Sequence, residues 1–212
     1  MTYQVPAAAG AGIHADRTSA ATTPAVPAPR RVISETAVVC GGIEYFLKHS
    51  TVDMDALAGA LAVSRATLYR VAGSRDQLIG EVLWQLGSRR LADSRRARRL
   101  PGVDGVVEVT RHYVSGVRHS SPLRRFVTAE PETAARVFFA EPGGVHQRFI
   151  HAQVEVFREV FGPELDRVVA DPEALAYLYI GIVESVVYAE LLTDQPADID
   201  RMEQALRALF TR

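Results

Sequence analysis

The sequence predicts an all-α protein, a small N-terminal three-helix headpiece followed by a larger helical body. Three observations predict it. Apolar residues recur at helical spacing through most of the chain beyond Arg31. No stretch alternates apolar and polar residues as a half-buried strand does. Proline and glycine fall at breaks between periodic stretches: Pro101-Gly102, Ser121-Pro122, Pro131, Pro142-Gly143-Gly144, Gly162-Pro163, Asp171-Pro172 and Pro196.

Residues 1–29 are rich in Ala, Pro, Thr and Gly without periodicity and predict a flexible tail. Arg30-Arg31 closes it. A basic pair there can reach into a DNA minor groove, although more often such a pair is simply solvated. Arg31 to Lys48 predicts the first helix, with Val32, Ala37, Val39, Ile43, Phe46 and Leu47 as its apolar stripe and Gly41-Gly42 as a weak point.

The chain is organised around Val52 to Arg75, VDMDALAGALAVSRATLYRVAGSR. Asp53 is placed to cap a short helix carrying Met54, Leu57, Ala58 and Leu61 on one face. Ser64 caps a second helix, Gly73 ends it, and Ser74 caps a third. Small residues at Ala58, Gly59, Ala60 and Ala62 allow close approach, and Val63 and Leu68 plug the angle between the two short helices. Arg65, Thr67, Tyr69 and Arg70 are left on the outer face, with donors for phosphates and base edges. A helix–turn–helix presents such a face to the major groove. An αα-hairpin with a solvated Arg-rich face fits the same spacing.

These residues resemble the DNA-binding motif of the TetR family of bacterial repressors. The likeness runs from Leu57-Ala58 through Val63-Ser64-Arg65-Ala66-Thr67-Leu68-Tyr69 to Gly73-Ser74-Arg75 and Leu78. It implies that Arg65 and Thr67 read bases or adjacent phosphates, that Ser64 and Tyr69 bind phosphate, and that Arg75 clamps phosphate at the next helix's N-terminus. The family's aromatic pair after the Tyr and its Phe before the Gly are replaced by Arg70-Val71 and Ala72, so Arg70 can add a contact. Asp55 stands where some members carry a basic residue.

Charge distribution agrees with a site-specific DNA binder. The 212-residue chain has a formal net charge of −1, which excludes a generally basic nucleic-acid coat protein. Between Leu61 and Leu100, however, nine Arg stand against three acids, and beyond Leu100 acids dominate. Cys40 is the only cysteine, so no intrachain disulfide is expected. No apolar run is read as long enough for a membrane span, the first residues lack signal-peptide character, and a cytoplasmic protein is expected. No pair of His is spaced for a metal, and no P-loop, dinucleotide glycine pattern or nucleophile elbow occurs. Neither an enzyme nor a cofactor is expected.

Ser74 to about Arg98 predicts a long helix joining headpiece (30–75) to body (76–212). Ser121, Asp171 and Asp198 are fitting N-caps in the body. The last two helices, about 172–192 and 199–210, are the most apolar; in the resemblance they form a four-helix bundle with a second copy, with Leu206, Leu209 and Phe210 as interface candidates. Plain intrachain core explains the same residues. Within the body, Tyr177, Gly181, Glu184 and Tyr188 share one helical face, and an unpaired buried carboxylate is costly. Glu184 therefore either lines a ligand cavity or is held internally by a Tyr or His. Trp84, His112, Tyr113, Phe126, Phe138 and Phe149 are further cavity candidates, each also explicable as core.

The segments RATLYRVAGSRDQLIGEVLW and ESVVYAE look like the QsdR-type subgroup of that family, associated with control of γ-lactone degradation. The resemblance implies a homodimeric, ligand-responsive transcriptional repressor of a palindromic operator, released by a small apolar effector with a carbonyl oxygen. A helical small-molecule-binding or protein-interaction module with a vestigial headpiece is the rival reading.

Overall fold

Side-chain caps set the starts of the first four helices. The computed structural model describes residues 33–140, 144–193 and 195–211, so Arg30-Arg31 and the expected tail lie outside the described residues. Helix α1, Glu35–His49, starts four residues later than expected, because the Ser34 hydroxyl accepts from the Ala37 N–H at 3.2 Å. Its buried face is Val38, Gly42, Ile43 and Phe46. Ala37, expected in the stripe, is exposed, and Leu47 is 48% exposed. Gly42, read as a weak point, permits close packing: a Cβ there would lie 3.0 Å from Val82 Cγ2.

Helix α2, Met54–Ala60, is capped by Asp53, whose Oδ1 accepts from the Asp55 and Ala56 N–H groups. Helix α3, Arg65–Ala72, begins at Ser64 and ends at Gly73, whose φ of 74° suits glycine. Helix α4, Arg75–Ala97, opens with a reciprocal capping box: Ser74 Oγ accepts from the Gln77 N–H at 3.1 Å, and Gln77 Oε1 accepts from the Ser74 N–H at 2.7 Å. Leu68 is fully buried, and Leu78, Ile79 and Val82 of α4 complete the core under α1–α3.

The body comprises α5 (Gly102–Arg118), α6 (Ser121–Ala129), α7 (Pro131–Ala135) running into a π-turn over Arg136–Ala140, α8 (Val145–Phe161), a 3-10 turn over Gly162–Glu164, α9 (Leu165–Val168), α10 (Pro172–Thr193) and α11 (Ile199–Ala208). Among the described residues there is no strand. Asp171 and Asp198 cap as expected, accepting from the Glu173 and Ala174 N–H groups and from the Arg201 N–H respectively. Ser121 does not; the cap position falls to Ser120, which makes no side-chain capping bond.

Helix α10 packs mainly on α8 and is the most apolar element. Its mean hydropathy of 1.6 over an 18-residue window makes it long and apolar enough to cross a membrane, contrary to the expectation that no run approaches that length. A core helix has the same composition. Only 39% of that window is buried within the chain. Its outward stripe, Ala174, Leu178, Gly181, Ser185, Ala189 and Leu192, is exposed and carries no charge. The interface candidates Leu206 and Phe210 are instead internal: Leu206 is fully buried, and the Phe210 ring meets Phe157 at 5.7 Å and Phe161 at 5.7 Å. Leu209 is partly buried against the same core.

Candidate functional site

Two sites emerge, one on the outside of α3 and one inside the body. On α3, Leu68 points inward while Ser64, Arg65 and Arg70 are exposed and Thr67 and Tyr69 are half-buried. The polar groups are held by one another. Ser64 Oγ accepts from the Thr67 N–H at 3.1 Å and lies 2.9 Å from Thr67 Oγ1. The Arg65 guanidinium donates to Asp55 at 3.0 Å, both side chains being 63% exposed, and lies 5.4 Å from the Tyr69 ring centroid. In so wet a setting solvent screens the pair and it contributes little, so Arg65 is readily released to another acceptor. Asp55 thus opposes Arg65 where the resemblance suggested a basic residue.

Arg75 is turned inward. Its Nε donates to the Val52 carbonyl at 2.7 Å, and its Nη2 donates to Thr51 Oγ1 at 2.7 Å and to Glu130 at 2.8 Å. Thr51 also donates to Glu130, at 2.5 Å. Arg75 therefore ties the turn before α2 to the α6–α7 junction, and its expected role as a phosphate clamp meets a guanidinium already engaged through Nε and Nη2. Burial pushes the Glu130 carboxyl up, but the hydrogen bonds from Thr51 and Arg75 outweigh it and hold the group below its ordinary range. The Glu130 partner was invisible in sequence because it stands 55 residues from Arg75.

The inner site is a cavity of about 270 Å³ walled by α1, α4, α5, α6, α8, α10 and the π-turn. Of the expected ligand residues, Tyr113, Phe138, Phe149, Glu184 and Tyr188 line it. The others lie elsewhere. Trp84 packs edge-on to Phe149 at 5.2 Å beneath the Arg148 guanidinium, which is 4.6 Å from its ring centroid. Phe126 is fully buried against Phe46. His112 contributes its carbonyl to Arg90 at 2.8 Å rather than its ring to the lumen. Tyr177 is 59% exposed, with its ring edge-on to His146 at 6.0 Å.

Glu184 is both of the things its burial allowed. It lines the cavity, and Oε2 is 2.7 Å from His146 Nδ1. Burial pushes its carboxyl above the usual range, with His146 pulling the other way. Tyr113 and Tyr188 are raised by burial and then by the nearby Glu184 charge. Arg90, Thr110, Gln153 and Tyr179 were missed by the sequence reading. Thr110 and Tyr179 satisfy each other at 2.8 Å. Arg90 sits exposed at the rim, packed against Gly116 where any Cβ would collide with it. Phe46 and Leu47 bring α1 of the headpiece into the cavity wall.

Residues 101–211 match the family described as the Tetracyclin repressor-like, C-terminal domain. Among solved structures, the chain is similar to the transcriptional repressor QsdR from the TetR family of R. erythropolis, with a TM-score of 0.75 and 24% identity over 84% of this chain and 95% of that one. No curated protein matches the sequence.

Proposed function

The chain belongs to the TetR family of transcriptional regulators, DNA-binding proteins rather than enzymes, and from that premise we propose a repressor that grips its operator as a homodimer and lets go when a small apolar effector fills the body cavity. The observation that carries this reading is the outer face of α3, where Arg65 and Arg70 are exposed and Thr67 and Tyr69 half-buried, while Leu68, with Val71 and Ala72 packed beside it, anchors the helix. A helix with that division of labour suits a major groove. Ser64 adds a phosphate contact while it caps the helix. Arg75 belongs to the phosphate set only through whatever part of its side chain stays accessible, which is 31% in the free protein.

Pairing of two copies is supported by the uncharged outward stripe of α10, since a half-site contact alone is weak and two headpieces must sit about 34–36 Å apart along DNA. The interface then runs along α10 and the exposed side of α11. The effector reading is supported by a mainly apolar cavity with a few convergent polar groups. Tyr113, Phe138, Phe149, Glu184 and Tyr188 are its walls, and a γ-lactone is a fitting class of ligand because it pairs an alkyl chain with one carbonyl. Filling a cavity walled partly by α1 and α4 biases the headpiece directly. About a hundredfold operator release requires roughly 2.7 kcal/mol of difference in effector affinity between the two states.

Arg65→Ala is expected to weaken operator binding by about 1–3 kcal/mol and to relax base choice at one position per half-site. Mobility shifts on cognate and scrambled duplexes test it. Equal affinity for both duplexes, before and after the substitution, removes Arg65 and with it the recognition role of α3.

A further inference from the structure

We infer that Gln153 is the specificity residue of the cavity, and that the molecule bound there is uncharged and mostly apolar, with a carbonyl oxygen that accepts a hydrogen bond from the Gln153 carboxamide. The inference deepens the effector reading above and rests on it. Gln153 lies on α8 between Ile150 and Phe157, on the face that otherwise supplies core. It is only 4% exposed, it lines the cavity, and its Nε2 is buried without a hydrogen-bond partner among the described residues. A buried amide donor left unpaired is unfavourable, and folded proteins seldom keep one without a use for it.

Ser120, Tyr113 and Tyr188 also present hydroxyls to the cavity, but among the described residues Gln153 Nε2 is the lining atom that is buried without a partner. Thr110 and Tyr179 are bonded to each other. Tyr113 and Tyr188 are pushed up by burial and by the nearby Glu184, with Arg90 pulling Tyr113 the other way. Arg90, the cation on the wall, is exposed at the rim and donates to the His112 carbonyl. An anionic head would meet Glu184, whose neighbouring base His146 is already paired with it at 2.7 Å, so a neutral acceptor at Gln153 is the favoured polar group.

The test uses the full chain, two probes that differ only in one carbonyl, and the near-isosteric Gln153→Met. γ-Octalactone and 2-butyltetrahydrofuran are titrated by calorimetry into both proteins, and the melting temperature of each free protein is measured. The wild-type chain is expected to bind the lactone about tenfold more tightly than the ether. Gln153→Met loses that margin by weakening the lactone alone, and the free variant melts about 2–4 °C higher because the unpaired donor is gone. The inference is overturned if the margin survives the substitution, if both probes weaken equally, or if the free variant melts lower. Binding of neither probe to the wild-type chain overturns the effector reading as well. Tight lactone binding without operator release removes only the ligand-responsive reading and leaves the role of Gln153 intact.

Discussion

The outer face of α3 and the inner cavity use similar side chains under opposite conditions. On α3 the polar groups are wet and mutually satisfied: Ser64 with Thr67, Arg65 with Asp55. Each bond there is weak enough to exchange for a phosphate or a base edge. In the cavity the polar groups are few, buried and in part unmatched, with the Gln153 amide lacking a partner. A surface that must find one partner among many similar ones can afford loose, replaceable bonds. A chamber selects by leaving a defined group unsatisfied until the right molecule arrives. A third setting, neither wet nor dry, is the Arg75–Thr51–Glu130 cluster, which ties the turn before α2 to the α6–α7 junction.

Several changes would sharpen or break this contrast, the largest first. Gly87 lines the cavity, and a Cβ there would lie 2.5 Å from Phe149 Cζ and 3.3 Å from the Tyr113 hydroxyl. Gly87→Leu is expected to cost at least about a hundredfold in effector affinity, roughly 2.7 kcal/mol, while leaving operator binding in place but no longer releasable. Calorimetry with parallel mobility shifts checks it, and loss of operator binding in an otherwise folded variant would show that the chamber and the headpiece are not separable in this way.

Next comes the joining cluster. Arg75→Ala is expected to destabilise the chain by about 1–2 kcal/mol, discounted for its partial exposure. Combining it with Glu130→Gln should add little, because both remove the same interaction. Denaturant melts of the double-mutant cycle decide this; full additivity would mean that Arg75 and Glu130 do not act together.

Glu184 supplies a pH signature. Its folded-state pKa is raised by burial, so its contribution to stability is complete below its ordinary 4.5 and is lost as pH rises through the raised value. Wild type should therefore lose ground to Glu184→Gln as pH climbs from 4.5, and the gap should level off above the raised pKa. Melting curves across that range read it, and a gap that narrows with rising pH would contradict the burial argument. The smallest effect belongs to Asp55→Ala. Removing an exposed partner of Arg65 should change stability by less than about 0.5 kcal/mol, yet tighten DNA binding a few-fold by deleting a negative charge beside the phosphates.

How much of this was legible in the sequence follows from the range of the forces involved. Helix ends in the headpiece were legible because Asp53, Ser64, Gly73 and Ser74 act on backbone groups within four residues of themselves. Glu184 and Tyr188 stood out as polar groups in an apolar helix. Gln153 offered the same signal, a polar residue on the stripe of Ile150, Val154 and Phe157, but its neighbours in α8 are polar enough to hide it. The inward turn of Arg75, and the burial of Leu206 and Phe210 within one chain, depend on partners far along the sequence. Periodicity can mark a face as apolar; it cannot say whether the same molecule or another covers it. Tyr177 failed for that reason too, sharing a face with Glu184 yet emerging into solvent.

Phe46 ends up with two duties. It is 1% exposed, packs edge-on against Phe126 at 5.6 Å, and also borders the cavity. On the function proposed above, a guest molecule leaning on that ring would lean on the DNA-reading unit itself, with no relay in between. Grafting another relative's pocket onto this headpiece would therefore have to carry α1 along, because the seam between sensing and reading would not fall at a loop but across the last turn of a helix.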